Sequence, residues 1–134
     1  MKNVFKTGDK KTYVKKVAIE DAAAFHGKLV HHVYSTFAMA RDFEWTSRLF
    51  FLDMMDEDEE GVGTHLSIDH LAPAFVGEEI IFTATVEEIN AMNLMCYIEA
   101  SSGGRLIAKG RTGQKMIKKE KLKELFSRGR DAGV

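Results

Sequence analysis

The chain contains little of what marks secreted, membrane or metal-binding proteins. It has a single cysteine, Cys96, so no disulfide can form within it, which fits a reducing cytoplasm. No apolar run approaches the roughly 20 residues that span a bilayer. The lysine-rich N-terminus lacks the apolar stretch of a signal peptide, and the histidines show no zinc-ligand spacing. We therefore expect a cytoplasmic protein that needs neither a membrane nor a metal, and we expect no cofactor.

The charges are almost balanced. Lys and Arg number 19 and Asp and Glu number 20, for a formal net charge of −1. This balance argues against nucleic acid as the main partner, which favours a strongly basic face. The 134 residues are 45% hydrophobic and contain no repeat or linker, so we expect one domain over residues 1–134, with a core at about 12–117.

Hydrophobic periodicity predicts one strand, one long helix and then four more strands. The strands are expected at 11–18, 62–72, 78–88, 94–100 and 105–117, the long helix at 37–52, and a short amphipathic helix at 118–128. Residues 20–25 are expected to form a short helical turn that Gly27 ends, and 29–34 to run extended. Residues 53–60 are expected to form an acidic loop, and the tail from Arg128 to fray.

The long helix is apolar on most sides, which predicts that it is buried. It is expected to begin at Ser35 or Thr36, because both are favoured N-cap residues. The simplest cover for such a helix is an antiparallel sheet that curls around it, an α+β fold. Such a sheet has exposed edges, which pairing with a second copy of the chain would cover.

Three residues on this helix and the strand after it carry acid–base chemistry: Thr36, Glu44 and His70. Alternation along the strand places His70 on the helix-facing side and Gly63 on the other. A carboxylate at Glu44, in a mostly apolar helix, is costly unless it is paired or hydrated, which makes it a candidate general base. A hydroxyl, a carboxylate and an imidazole that meet in an apolar cleft are suited to acyl transfer to water.

Thr36 has two compatible interpretations. It is most simply an N-cap, and the helix N-terminus around it also polarises a carbonyl oxygen placed there. Its hydroxyl would act as a nucleophile if Glu44 or His70 served as its base. Thr36 and Glu44 lie eight residues apart, about 12 Å along a regular helix, so they cannot touch. Either substrate and water bridge them, or the site takes residues from two subunits.

Three segments carry a family resemblance: Tyr34-Ser-Thr36, Glu44-Trp45 and Val62 to Pro73. Together they resemble the fluoroacetyl-CoA thioesterase group of hotdog proteins. The resemblance implies the hotdog fold, an antiparallel sheet wrapped around a central helix. It also implies an acyl-CoA thioesterase that acts on a small or medium acyl group, in a homodimer, or a tetramer built from it, with sites at the subunit interface.

The same resemblance implies that Thr36, Glu44 and His70 form the catalytic set and that Gly63 lies by the substrate. Two departures stand out. Phe37 replaces a proline that is common in the family and is expected to reshape the acyl pocket and contact the substrate. The last strand reads Gly110-Arg-Thr-Gly-Gln-Lys115, where the family commonly has Gly-Thr-His-Glu-Arg.

Several alternatives remain open on the sequence. A non-catalytic acyl-CoA-binding module would use the same cleft, and a hotdog hydratase ranks below it. Glu44 would either activate water or attack covalently. Gly63 marks a close approach of the backbone to the substrate or to the helix. The basic segment 115–130 is more simply a solvated amphipathic helix than a site for the phosphates of coenzyme A.

Overall fold

A five-stranded antiparallel sheet wraps around one long helix in the computed structural model, which describes residues 1–131. The strands are β1 (Lys10–Lys16), β2 (Ala22–Phe25), β3 (Lys28–Tyr34), β4 (Glu59–His70), β5 (Glu79–Asn90), β6 (Asn93–Ser102) and β7 (Arg105–Lys118). The helices are α1 (Thr36–Met54) and α2 (Lys119–Asp131), with a 3₁₀ turn at Ile19–Asp21. The sheet order is β1-β5-β6-β7-β4, and β2 and β3 form a separate hairpin. The predicted α+β fold with a central helix is confirmed.

The core lies between α1 and the concave face of the sheet. The helix contributes Met39, Phe43, Phe50 and Phe51, which are fully buried against strand residues such as Phe82. Each such side chain contributes about 1.5–3 kcal/mol through burial. Cys96 lies in this core, and burial raises the pKa of its thiol to about 12.

An ionic network around two buried carboxylates fastens the first half of α1 to the elements before it. Asp21 and Asp42 are each 3% exposed. The Tyr34 hydroxyl donates to Asp42, and the Arg41 guanidinium donates to both carboxylates. Lys15 Nζ of β1 lies 3.1 Å from Asp21 and 3.2 Å from Asp42. Buried charges need such partners, because each leaves its hydration behind.

The prediction of a helical turn over residues 20–25 is wrong for Ala22–Phe25, which form β2. The hairpin turn explains the difference. His26 and Gly27 have φ of 53° and 77°, and two successive positive φ values are what a two-residue hairpin turn requires. The predicted acidic loop is also too long, because α1 continues to Met54 and β4 begins at Glu59.

A bulge in β4 overturns the predicted placement of Gly63. The register with β7 shifts between Gly63 and His65, so one extra residue, Thr64, interrupts the alternation. Gly63 therefore lies on the helix-facing side together with Leu66 and His70, instead of opposite His70.

The second helix runs further than expected. The tail was predicted to fray from Arg128, but α2 continues to Asp131; residues 132–134 lie outside the described part of the chain. No helix within the described residues is both long and apolar enough to cross a membrane.

We expect Asp42→Asn to lower the free energy of unfolding by about 3 kcal/mol, because it removes one carboxylate of a buried ionic network. Asp53→Asn on the same helix is the matched control. Asp53 is exposed and pairs with Lys11 at 2.7 Å, so its loss should cost less than about 1 kcal/mol. Urea unfolding followed by circular dichroism measures both variants, and equal small losses would contradict a structural role for the network.

Candidate active site

Thr36 and His70 meet at the beginning of α1. The Ser35 side chain caps the helix by accepting a hydrogen bond from the Ala38 N–H at 3.0 Å. The Thr36 hydroxyl is therefore not needed as a cap, and its Oγ1 lies 2.9 Å from His70 Nδ1. Of the two caps considered from the sequence, Ser35 takes the role and Thr36 is left for other contacts.

The Thr36–His70 pair suits proton transfer. With its proton on Nε2, the imidazole accepts the Thr36 hydrogen at Nδ1 and makes the hydroxyl more nucleophilic. With its proton on Nδ1, the ring donates to Thr36 instead. Among residues 1–131, His70 Nε2 is buried without a hydrogen-bond partner. Buried polar atoms normally have partners, so this nitrogen is an unsatisfied group in the structure.

Glu44 occupies a different place on the helix and does not join this pair within one chain. It is exposed, and its separation from Thr36 along the helix is the one expected from the sequence. Its carboxylate lies over Gly63, where an added Cβ would be 3.3 Å from Oε1. Glu44 and Gly63 line a cavity of about 320 Å³ with five other residues: Arg41, Trp45, Arg48, Gly61 and Gln114.

A larger cavity of about 590 Å³ adjoins Thr36. The small side chains of Ala22–Ala24 and Ala38 leave this space open between the β2–β3 hairpin and the first turn of α1. Phe37 lines it and is 88% exposed. Because Arg41 borders both cavities, they are neighbours along the helix.

Two residues at these cavities, Arg41 and Gln114, were not singled out from the sequence. Arg41 donates hydrogen bonds to Asp42, its neighbour in sequence, and to Asp21, which lies far away in sequence. Because of this second partner, only the folded structure reveals the cluster. For Gln114 a signal existed, because it lies in the segment that departs from the family pattern. Within residues 1–131 no group of three or more His, Cys, Asp or Glu side chains is placed to hold a metal ion.

The chain is similar in structure to known thioesterases. A hypothetical protein of Thermus thermophilus, a thioesterase superfamily member, is 30% identical over 97% of this chain and 96% of its own, with a TM-score of 0.90. The fluoroacetyl-CoA thioesterase FlK is 18% identical over 94% of this chain and 98% of its own, with a TM-score of 0.85. The fold is thus that of the hotdog thioesterase superfamily.

The family follows from the sequence itself. The sequence model of the FlK family, described as fluoroacetyl-CoA-specific thioesterase, matches residues 17–120. The chain belongs to this family, as its motifs predicted, and its relatives make it a thioester hydrolase. A more distant neighbour, a 1,4-dihydroxy-2-naphthoyl-CoA thioesterase from Synechocystis, is 21% identical over 82% of this chain and 83% of its own, with a TM-score of 0.67. Among curated protein sequences, none is significantly similar to the chain.

We expect Gly63→Ala to lower mainly the activity and Gly61→Ala to lower mainly the stability. At Gly63 the new Cβ meets only the end of the exposed Glu44 side chain, so we expect nearly unchanged stability and about a tenfold loss of thioesterase activity through the displaced carboxylate. At Gly61 the Cβ would lie 2.5 Å from the buried Phe51 ring, which should cost about 1–3 kcal/mol of stability. Thermal unfolding and thiol release measure both, and full activity in Gly63→Ala would show that the contact does not matter.

Proposed function

We propose that the protein hydrolyses a small or medium acyl-CoA to the free acid and coenzyme A, with Thr36, Glu44 and His70 as its catalytic residues. The observation that carries this proposal is the 2.9 Å contact between Thr36 Oγ1 and His70 Nδ1 beside an apolar cavity. This pair places a polarisable hydroxyl and an imidazole where a thioester carbonyl can enter.

The first turn of α1 supplies the site for the carbonyl oxygen. The first intrahelical bond runs from the Met39 N–H to the Ser35 carbonyl oxygen, at 3.0 Å. The N–H groups of Thr36 and Phe37 precede this bond and point out of the helix end. Together with the helix dipole they would stabilise the negative oxygen that forms when the thioester is attacked.

A homodimer would bring Glu44 to this pair. β4 is an edge of the sheet and 12 residues long, so its outer backbone groups are available to a second β4. A two-fold axis near Ser67 would pair the two strands in antiparallel register and place Gly63 opposite the partner's His70. Neighbouring strands are about 4.8 Å apart. Because Glu44 lies over Gly63, its carboxylate would then face the partner's Thr36 and His70.

Thr36 and Glu44 of one chain lie about 12 Å apart along the helix and cannot contact the same atom. In the dimer, Glu44 of one chain would lie close to Thr36 of the other. Glu44 would act on a water molecule, or directly on the carbonyl carbon, from the side opposite the partner's helix end. His70 would donate a proton to the departing thiolate of coenzyme A. Both routes use the same composite geometry.

The acyl group would occupy the 590 Å³ cavity next to Thr36, with Phe37 at its side. Alanine walls suit an apolar chain, and a cavity of this size lies within the ordinary range of small-molecule sites. We also propose a cytoplasmic location, where the single thiol of Cys96 stays reduced.

We expect Glu44→Gln to lower the rate of thiol release from acyl-CoAs at least about 100-fold, because the site loses its general base or nucleophile. A series of acyl-CoAs of increasing chain length, assayed with a thiol reagent, measures this rate and the acyl preference. Glu57→Gln is the control, since Glu57 is exposed and borders neither cavity. Saturable binding without turnover in the wild type would favour the acyl-CoA-binding module instead.

We expect mixed dimers of Glu44→Gln and His70→Ala chains to recover about a quarter of wild-type activity. Half of the dimers would be mixed, and in each of these one of the two composite sites would combine an intact Glu44 with an intact His70. Each variant alone should be inactive. Size-exclusion chromatography with light scattering establishes the dimer, and a mixture that stays inactive despite chain exchange would show that the site is not shared between subunits.

A further inference from the structure

One buried amide, that of Gln114, lies directly beneath the proposed site. Gln114 is on the helix-facing side of β7 and is only 6% exposed. It is the register partner of Gly63 in β4 and lines the same cavity as Glu44. A buried amide is costly unless its hydrogen bonds are made, so its partners indicate what it is there to hold.

The Gln114 side chain bonds to α1 at Glu44 itself. Its Nε2 donates to Ser47 Oγ at 2.6 Å and to the Glu44 backbone carbonyl at 3.3 Å. The Ser47 hydroxyl in turn donates to the same Glu44 carbonyl at 3.0 Å. The Glu44 carbonyl oxygen can only accept a hydrogen bond, so the Gln114 amide atom that faces it and Ser47 Oγ is the nitrogen. The orientation of the Gln114 amide is therefore fixed by chemistry, and Oε1 is the atom left on the other side.

We propose that Gln114 is a positioning residue for Glu44: its amide locks the backbone of the helix at Glu44 to β7 and so fixes the carboxylate over Gly63. This inference rests on the proposed thioesterase function. The hydrogen bonds of the Gln114 amide connect β7 to α1, and the pairing of Gln114 with Gly63 connects both to β4. These three elements define the position of Glu44. A displacement of about 1 Å at such a group is enough to lower a rate about 100-fold.

A glutamate at this position would act differently from the glutamine. It would lose both N–H donors toward Ser47 and Glu44, and it would bring a second carboxylate to the cavity of Glu44. Besides Glu44, the charged side chains that already line this cavity are Arg41 and Arg48, and Arg48 donates to Glu60 at 2.8 Å. An amide supplies the donors without adding a charge to this set.

The test compares Gln114→Glu, Ser47→Ala and Thr112→Val as full-length dimers with the best acyl-CoA substrate of the wild type. Thr112 is the matched control, because it is a buried polar residue on the same face of β7 whose hydroxyl has no partner among residues 1–131.

We expect Gln114→Glu to lower kcat about 10–100-fold with KM nearly unchanged. The acidic limb of its pH–rate profile should move to higher pH, because a second carboxylate opposes loss of a proton from the site. Ser47→Ala should lower kcat about three- to tenfold, since the direct bond from Gln114 to Glu44 remains.

The outcomes separate this inference from the proposed function. An active wild type whose kcat and pH profile are unchanged in Gln114→Glu and Ser47→Ala would overturn the positioning role alone. If Gln114→Glu does not fold, Ser47→Ala decides, and a kcat equal to that of Thr112→Val would overturn the role. A wild type that hydrolyses no acyl-CoA would overturn the proposed function, and the inference with it. A loss of kcat in both site variants with full activity in Thr112→Val supports it.

Discussion

The ionic network around the buried carboxylates of Asp21 and Asp42 is the constraint on which the geometry of the Thr36 half of the site depends. Burial alone would raise the pKa of Asp21, but the hydrogen bonds from Arg41, the Ala18 N–H and Lys15 hold that pKa below its ordinary value. Tyr34 and Asp42, joined by a hydrogen bond, bracket the first turn of the helix in sequence. The helix entry is thus tied on both sides of Thr36. A carboxylate that loses one of these partners would be left buried and charged, so the helix cannot shift without breaking several bonds together.

The second constraint is backbone proximity along β4. Gly61 allows the Phe51 ring to pack against the strand, and Gly63 allows the Glu44 carboxylate to lie over it. The bulge at Thr64 brings Gly63 into phase with His70, so both face α1 from the same strand. Without the extra residue, Gly63 would face away from the helix. Because of this bulge, the single edge strand β4 presents both Gly63 and His70 to the proposed two-fold symmetric site.

Much of this architecture could be predicted from the sequence, because local patterns determine it. The long apolar helix and the alternating strands follow from hydrophobic periodicity. The bulge could not be predicted, because it is a property of the pairing with β7. The contacts of Asp42 with Lys15 and of Gln114 with Ser47 were missed for the same reason. Each contact joins residues that are far apart in sequence, and one sequence by itself does not indicate which distant residues meet. The contact between Thr36 and His70 was expected because the family resemblance supplied the long-range information.

The two departures from the family pattern fall in the two halves of the proposed site. Phe37 lies beside the cavity at Thr36, and Gln114 lies beneath Glu44. In one chain these residues belong to separate cavities. In a dimer paired along β4, each Phe37 would approach the half of the site that the partner's Gln114 supports. Phe37 and Gln114, the two departures from the family pattern, would then both affect the same bound substrate. The identity of the acyl group would accordingly depend on the pairing of the two chains as much as on either cavity alone.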